Sequence, residues 1–143
     1  MAPMRTLLIL GLAGLIVSQG DPVVPVHQEP RHHLVFETEG ARVLDLQIPP
    51  GDSTLSHTHS DPILYVTMST SRTRGQDHGG EWSAPAAAAD TVTTGAPTVA
   101  PTTPPGRMMS TTSYADKPLT HRVNNPGPTL FRLIGTTNAT AGG

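Results

Sequence analysis

Three histidines combine a residue type and a spacing that suit metal binding. His57 and His59 are separated by one residue on a segment that reads as extended. Side chains two apart on a strand point to the same face, roughly 6–7 Å from each other, so two imidazoles can reach one ion. His121 lies far away in the chain on another short extended segment. A closed double sheet can bring such segments side by side, which puts a third imidazole within geometric reach.

The chemistry open to such a set is that of transition metals. Imidazole nitrogen suits Zn, Cu, Fe and Ni, and three histidines with one open position form a workable catalytic arrangement. The bare pattern His-x-His is more often incidental than a ligand pair. Its weight therefore depends on the residues around it.

The segments around the histidines have the period of β-strands. Leu44, Leu46 and Ile48 alternate with other residues across positions 42–48, and a period of two predicts a half-buried strand. A Pro-Pro-Gly-Asp turn at residues 49–52 ends it. Further β-prone runs occupy residues 33–36, 63–68, 108–114, 120–123 and 129–134. Many short strands with Pro and Gly between them, and no helical period, predict an all-β sandwich or barrel.

Residues 83–106 differ in kind, since they are almost entirely Ala, Thr, Pro and Gly. Such a segment buries too little apolar surface to offset the entropy of ordering it. We predict a flexible low-complexity insertion within one barrel domain that spans residues 21–143. An interdomain linker is the alternative, but the residues after it are too few for a second core.

The first 20 residues predict export. Arg5 precedes an apolar run at residues 7–17, and small or polar residues follow, which is the pattern of a signal peptide. The run is too short for a bilayer span, so we expect a periplasmic or secreted protein with no stable membrane insertion. Nine Lys and Arg against 11 Asp and Glu, without a basic stripe, argue against nucleic-acid binding. The chain has no Cys, so no disulfide braces the fold.

Two motifs resemble those of the cupin superfamily. Gly51, five residues and then His57-Thr58-His59 is similar to the opening of the first cupin motif, and His121, three residues and then Asn125 is similar to the end of the second. The chain resembles small exported bacterial cupins. The resemblance implies a jelly-roll barrel, or double-stranded β-helix, with His57, His59 and His121 as ligands of one divalent metal (Zn, Fe, Mn, Ni or Cu). It also implies a homodimer, because cupins often pair through their sheets.

The sequence departs from the family at one expected ligand. The first cupin motif carries a Glu three or four residues after its second His, where this chain has Pro62, Ile63 and Leu64. The Pro-x-Gly that usually precedes the second-motif His is also absent. Three interpretations stay open: a three-histidine site completed by water, a fourth ligand from elsewhere, or a barrel that has lost its metal.

Few residues could replace the missing carboxylate. His78 and Glu81 lie in a glycine-rich polar stretch, residues 75–82, that could fold over the barrel mouth but reads more simply as an exposed loop. His32 and His33 are adjacent, so on a strand at most one of them faces inward. The simplest interpretation of that one is a hydrogen-bonded barrel histidine.

Three classes of function follow. The first is an exported metal-binding cupin that acts on a small molecule, with no motif that specifies a reaction. The second is a metal-free or non-catalytic barrel that binds or senses a small ligand. The third is a barrel that keeps the fold for stability or association only.

Overall fold

The computed structural model describes residues 21–85 and 105–139. The predicted signal segment lies outside these ranges, so export stays a prediction, and residues 86–104 of the predicted insertion lie outside them as well. Within the described ranges the chain forms nine strands and a single 3-10 turn at Val26–Gln28. The strands are β1 (Val23–Pro25), β2 (His32–Glu37), β3 (Arg42–Ile48), β4 (Ser56–His59), β5 (Ile63–Ser69), β6 (Arg74–Asp77), β7 (Met108–Thr111), β8 (Leu119–Asn124) and β9 (Phe131–Thr137).

The strands form two sheets. One has the order β1-β4-β8-β6 and the other the order β2-β3-β9-β5-β7. All pairings are antiparallel except that of β1 with β4. The predicted all-β double-sheet architecture is therefore confirmed. No helix in residues 21–85 or 105–139 has the length and apolarity that a membrane crossing requires.

The core lies between the sheets, and the alternation in β3 places it there. Leu46 and Ile48 are buried with Leu133 of β9, and Tyr65, Val123 and Phe131 pack against them. On the opposite face of β3, Asp45 accepts hydrogen bonds from Nε and a terminal nitrogen of Arg132 at 2.9 and 2.8 Å. The period of two thus separates an apolar face from a face held by an ion pair.

The turn after β3 is held in place by hydrogen bonds with Asn125. Gly51 has a φ of +81°, a conformation that favours glycine, and its N–H donates to the carbonyl of Asn125. Asn125 is fully buried, and its side-chain nitrogen donates to the carbonyls of Ile48 and Thr129. The end of β3 is thereby tied to the turn between β8 and β9.

Two segments differ from the sequence prediction. The stretch read as an exposed loop, residues 75–82, contains most of β6, which pairs with β8. Its polar, glycine-rich composition has no period-two signal because β6 is a short edge strand. The run predicted over residues 108–114 is a strand only to Thr111, and Tyr114 lies in the turn that follows it.

Candidate metal centre

The pairing of β4 with β8 brings the three predicted histidines together. His57 lies directly opposite His121, and residues directly opposite in an antiparallel pair share a face. The His57 and His121 ring centroids are 4.7 Å apart, and those of His59 and His121 are 5.2 Å apart. His57 and His59 are 5.0 Å apart by the same measure. The register between β4 and β8 therefore brings together histidines that are far apart in the sequence.

A fourth histidine, which the sequence analysis did not place in the site, joins them from the other sheet. His32, the first residue of β2, has its ring centroid 4.6 Å from that of His57. His32, His57 and His59 each offer one ring nitrogen within 4.8 Å of the others, and all three side chains are buried. The signal in the sequence was the adjacent pair of His32 and His33, of which at most one could face inward. His33 is the exposed member.

Neighbouring acceptors orient two of the four rings. Nδ1 of His32 lies 2.7 Å from Oε2 of Glu29, and Nδ1 of His57 lies 2.9 Å from the carbonyl oxygen of Leu55. A carbonyl and an ionised carboxylate only accept hydrogen bonds, so in both rings Nδ1 carries the proton. The lone pair then sits on Nε2, and a histidine that donates its other N–H to a carboxylate or carbonyl is the usual form of a metal ligand.

Glu29 is held in its ionised form although it is 2% exposed. Burial by itself raises the pKa of this carboxyl, but hydrogen bonds from His32 and from the N–H groups of Leu55 and Arg31 outweigh it and lower the pKa. The carboxylate is therefore a fixed negative charge behind the His32 ring.

His57, His59 and His121 are held neutral. Burial, with the nearby His32 ring as a second cause, lowers the pKa of His57 to about 3. Burial and the His57 ring lower the pKa of His59 to about 2. The pKa of His121 is lowered by burial and by His32, against a raising influence of Asp77. Neutral imidazole is the form that binds a metal ion.

The donor set fits a metal ion by one further criterion. Nε2 of His121 is buried and has no hydrogen-bond partner among the described residues. A buried polar atom without a partner costs about 1–3 kcal/mol, and a cation between the rings would satisfy it. The chemistry and the burial of these nitrogens are compatible with a bound metal ion.

The remaining sequence candidates lie elsewhere. His78 and Glu81 are exposed and are not among the residues that line the barrel cavity. Ile63, one of the positions where the family motif carries its Glu, is buried at the start of β5. Among the described residues, the nitrogen that joins those of His57 and His59 within 4.8 Å is that of His32 from β2. His121 of β8 lines the same cavity but is not in that group, and no carboxylate of the described residues lines the cavity.

Comparison with solved structures agrees with this architecture. A cupin domain from Bordetella pertussis Tohama I matches with a TM-score of 0.53 and 19% identity, over 76% of this chain and 92% of that chain. An uncharacterized conserved protein with a double-stranded β-helix domain, from Klebsiella pneumoniae subsp. pneumoniae MGH 78578, matches with a TM-score of 0.50 and 17% identity, over 83% of this chain and 84% of that one. No family model and no curated protein matches the sequence.

The chain thus has the cupin fold, as its two histidine motifs predicted. At these identities the likeness establishes the fold, and the chemistry has to be argued from the residues of this chain.

Proposed function

We propose that this protein binds one divalent transition-metal ion inside its barrel, through His32, His57 and His59, with His121 as the fourth ligand. The observation that carries the proposal is that ring nitrogens of His32, His57 and His59, from both sheets, lie within 4.8 Å of one another. His121 is added because its ring centroid lies 4.7 Å from that of His57 and its buried Nε2 has no hydrogen-bond partner among the described residues. All four histidines lie on strands, namely β2, β4 and β8. Their positions therefore do not depend on the conformation of a loop. His32 provides a nitrogen donor in a shell that lacks the carboxylate of the first cupin motif.

The surroundings of the rings support this role. Buried imidazoles brought this close would repel one another if protonated, and the lowered pKa values of His57 and His59 keep them neutral. The Glu29 carboxylate offsets the positive charge that an ion would bring into a buried site. Buried imidazole donors backed by one carboxylate are a suitable arrangement for a divalent cation.

The donor type narrows the choice of metal. Imidazole suits Zn, Cu, Ni and Fe, whereas Mn prefers carboxylate, carbonyl and water oxygens. Since no carboxylate among the described residues lines the cavity, we expect Zn, Cu, Ni or Fe in preference to Mn.

Elemental analysis of the purified protein, beside a His57→Ala/His59→Ala double variant, tests the proposal. We expect near-stoichiometric metal in the first and none in the second. Absence of metal from the wild-type protein after incubation with each of Zn, Cu, Ni, Fe and Mn would overturn it. The metal-free ligand-binding barrel would then be the better description.

A further inference from the structure

A cavity of about 470 Å³ opens beside the four histidines. Cavities of roughly 300–1,000 Å³ hold small-molecule ligands in many proteins. Its walls away from the histidines are largely apolar and come from both sheets. They include Leu46, Met109, Val123, Phe131 and Leu133, together with the rings of Tyr65 and Tyr114. An apolar body of a small molecule would be well accommodated against these walls.

The permanent charge among the described residues that line this cavity is positive. No Asp or Glu of the described residues lines it. Arg74, at the start of β6, is the lining residue with a permanent charge. The cavity therefore favours a neutral or anionic ligand over a cationic one.

The Arg74 side chain is held by two contacts, but within the described residues it forms no ion pair. Its Nε donates to Oδ1 of Asn124 at 2.9 Å, and its guanidinium carbon lies 4.9 Å from the centroid of the Trp82 ring. These two contacts hold the guanidinium in place and leave its terminal amino groups without a hydrogen-bond acceptor among the described residues.

Other arginines of the barrel contrast with Arg74. Arg31, Arg42, Arg122 and Arg132 each form an ion pair, with Asp52, Glu37, Asp21 and Asp45 respectively. Arg74 pairs with no carboxylate of the described ranges. A guanidinium that is held in place, lines a cavity and keeps its paired donors free matches the two oxygens of a carboxylate.

We infer that the cavity binds a small organic carboxylate with an apolar, preferably aromatic, body. The carboxylate pairs with the terminal amino groups of Arg74, and the body packs against Leu46, Phe131 and Leu133. The inference goes beyond the metal site and does not depend on it, because every contact invoked belongs to the protein.

Binding of 2-naphthoate to the full chain, with metal removed by EDTA, tests this inference. We expect saturable binding of one naphthoate per chain by calorimetry. The neutral isostere 2-naphthamide should bind at least tenfold more weakly, because its amide offers Arg74 one acceptor oxygen and no negative charge. Acetate, with the charge but no apolar body, should also bind at least tenfold more weakly. Equal affinity for naphthoate and naphthamide would overturn the inference.

Variants assign the binding to the proposed residue. Arg74→Gln should weaken naphthoate binding at least tenfold and leave naphthamide binding unchanged. Arg74→Lys keeps the charge and loses the paired donors, so its naphthoate affinity should lie between those of the wild-type protein and Arg74→Gln. Arg107→Gln is the matched control, since Arg107 is exposed and forms no ion pair within the described residues. Unchanged naphthoate binding in Arg74→Gln, or an equal loss in Arg107→Gln, would contradict the assignment.

Two further outcomes are distinguishable. Arg74→Gln could lower the thermal midpoint, because the contacts with Asn124 and Trp82 are lost. In that case the naphthamide affinity of the same variant reports whether the cavity is intact. Loss of binding of both naphthoate and naphthamide counts against a specific role for Arg74. If the protein binds naphthoate but no metal, the inference holds and the proposed metal function fails.

Discussion

The carboxylate of Glu29 and the imidazole of His32 form a buried pair in which Oε2 and Nδ1 are 2.7 Å apart. The same carboxylate accepts hydrogen bonds from the backbone N–H groups of Arg31 and Leu55, which fix its position. The carbonyl oxygen of Leu55 in turn accepts a hydrogen bond from Nδ1 of His57. One short backbone segment and one carboxylate thereby orient two of the proposed ligands, which come from different sheets.

Replacing that carboxylate by an amide should weaken metal binding. Glu29→Gln keeps the shape and removes the charge, so the preference of His32 for the Nδ1–H tautomer falls. We expect metal affinity to drop by about 10- to 100-fold, measured by competition with a chromogenic chelator. In the metal-free protein, nitrogen NMR of His32 should show the tautomer shift, which a merely structural effect would not produce. An unchanged tautomer in the variant would contradict this role.

His32 and His33 offer a matched comparison on one strand. His32→Ala removes a proposed ligand, and we expect metal affinity to fall by about tenfold or more, since even loss of an outer partner of a ligand costs this much. His33→Ala changes an exposed residue of the same strand, and its affinity should stay within error of wild type. Equal losses in the two variants, by the same chelator competition, would place His32 outside the shell.

Acid should weaken the ion pair between Asp45 and Arg132. The hydrogen bonds from Arg132 are the main cause of the lowered pKa of Asp45, with burial acting against them. The unfolded value is about 3.9, so the stabilisation is complete above that pH and is lost as pH falls through the lower folded value. Because the Arg132 side chain is partly exposed to solvent, Asp45→Asn should cost about 1 kcal/mol at pH 7, and its deficit should shrink at pH 3.

Urea unfolding at both pH values measures this effect. Asp116→Asn is the control, because Asp116 is exposed and forms no ion pair with a described residue. Its free energy of unfolding should match wild type at pH 7. A deficit of Asp45→Asn that is as large at pH 3 as at pH 7 would mean that the aspartate acts through packing and not through its charge.

Gly127 should not tolerate a side chain. A Cβ there would lie 2.6 Å from the backbone nitrogen of Arg72 and would also overlap Oγ of Ser71. Because a backbone atom cannot rotate away, we expect Gly127→Ala to destabilise the protein by about 1–3 kcal/mol in thermal unfolding. Gly40→Ala, where nothing lies within 4 Å of the added Cβ, should be neutral. A stable Gly127→Ala protein would show that the segment at Arg72 moves readily.

The sequence by itself determined the local geometry of this protein. The alternation of Leu44, Leu46 and Ile48 predicted which face of β3 packs in the apolar core, because strand side chains have a period of two. The same rule put His57 and His59 on one face, and the spacing from Gly51 predicted the cupin fold that the structure confirms. The sequence also showed that the family carboxylate is missing. Homodimer formation and the absence of nucleic-acid binding stay predictions.

Only the tertiary structure decided which residues meet. His121 faces His57 because β4 pairs with β8 in one particular register, and register between distant strands depends on long-range packing. His32, and not His33, turns inward because of where β2 begins relative to the opposite sheet, which no local pattern encodes. The contacts of Glu29 with His32, and of Arg74 with Asn124 and Trp82, likewise join residues whose proximity depends on how the sheets close.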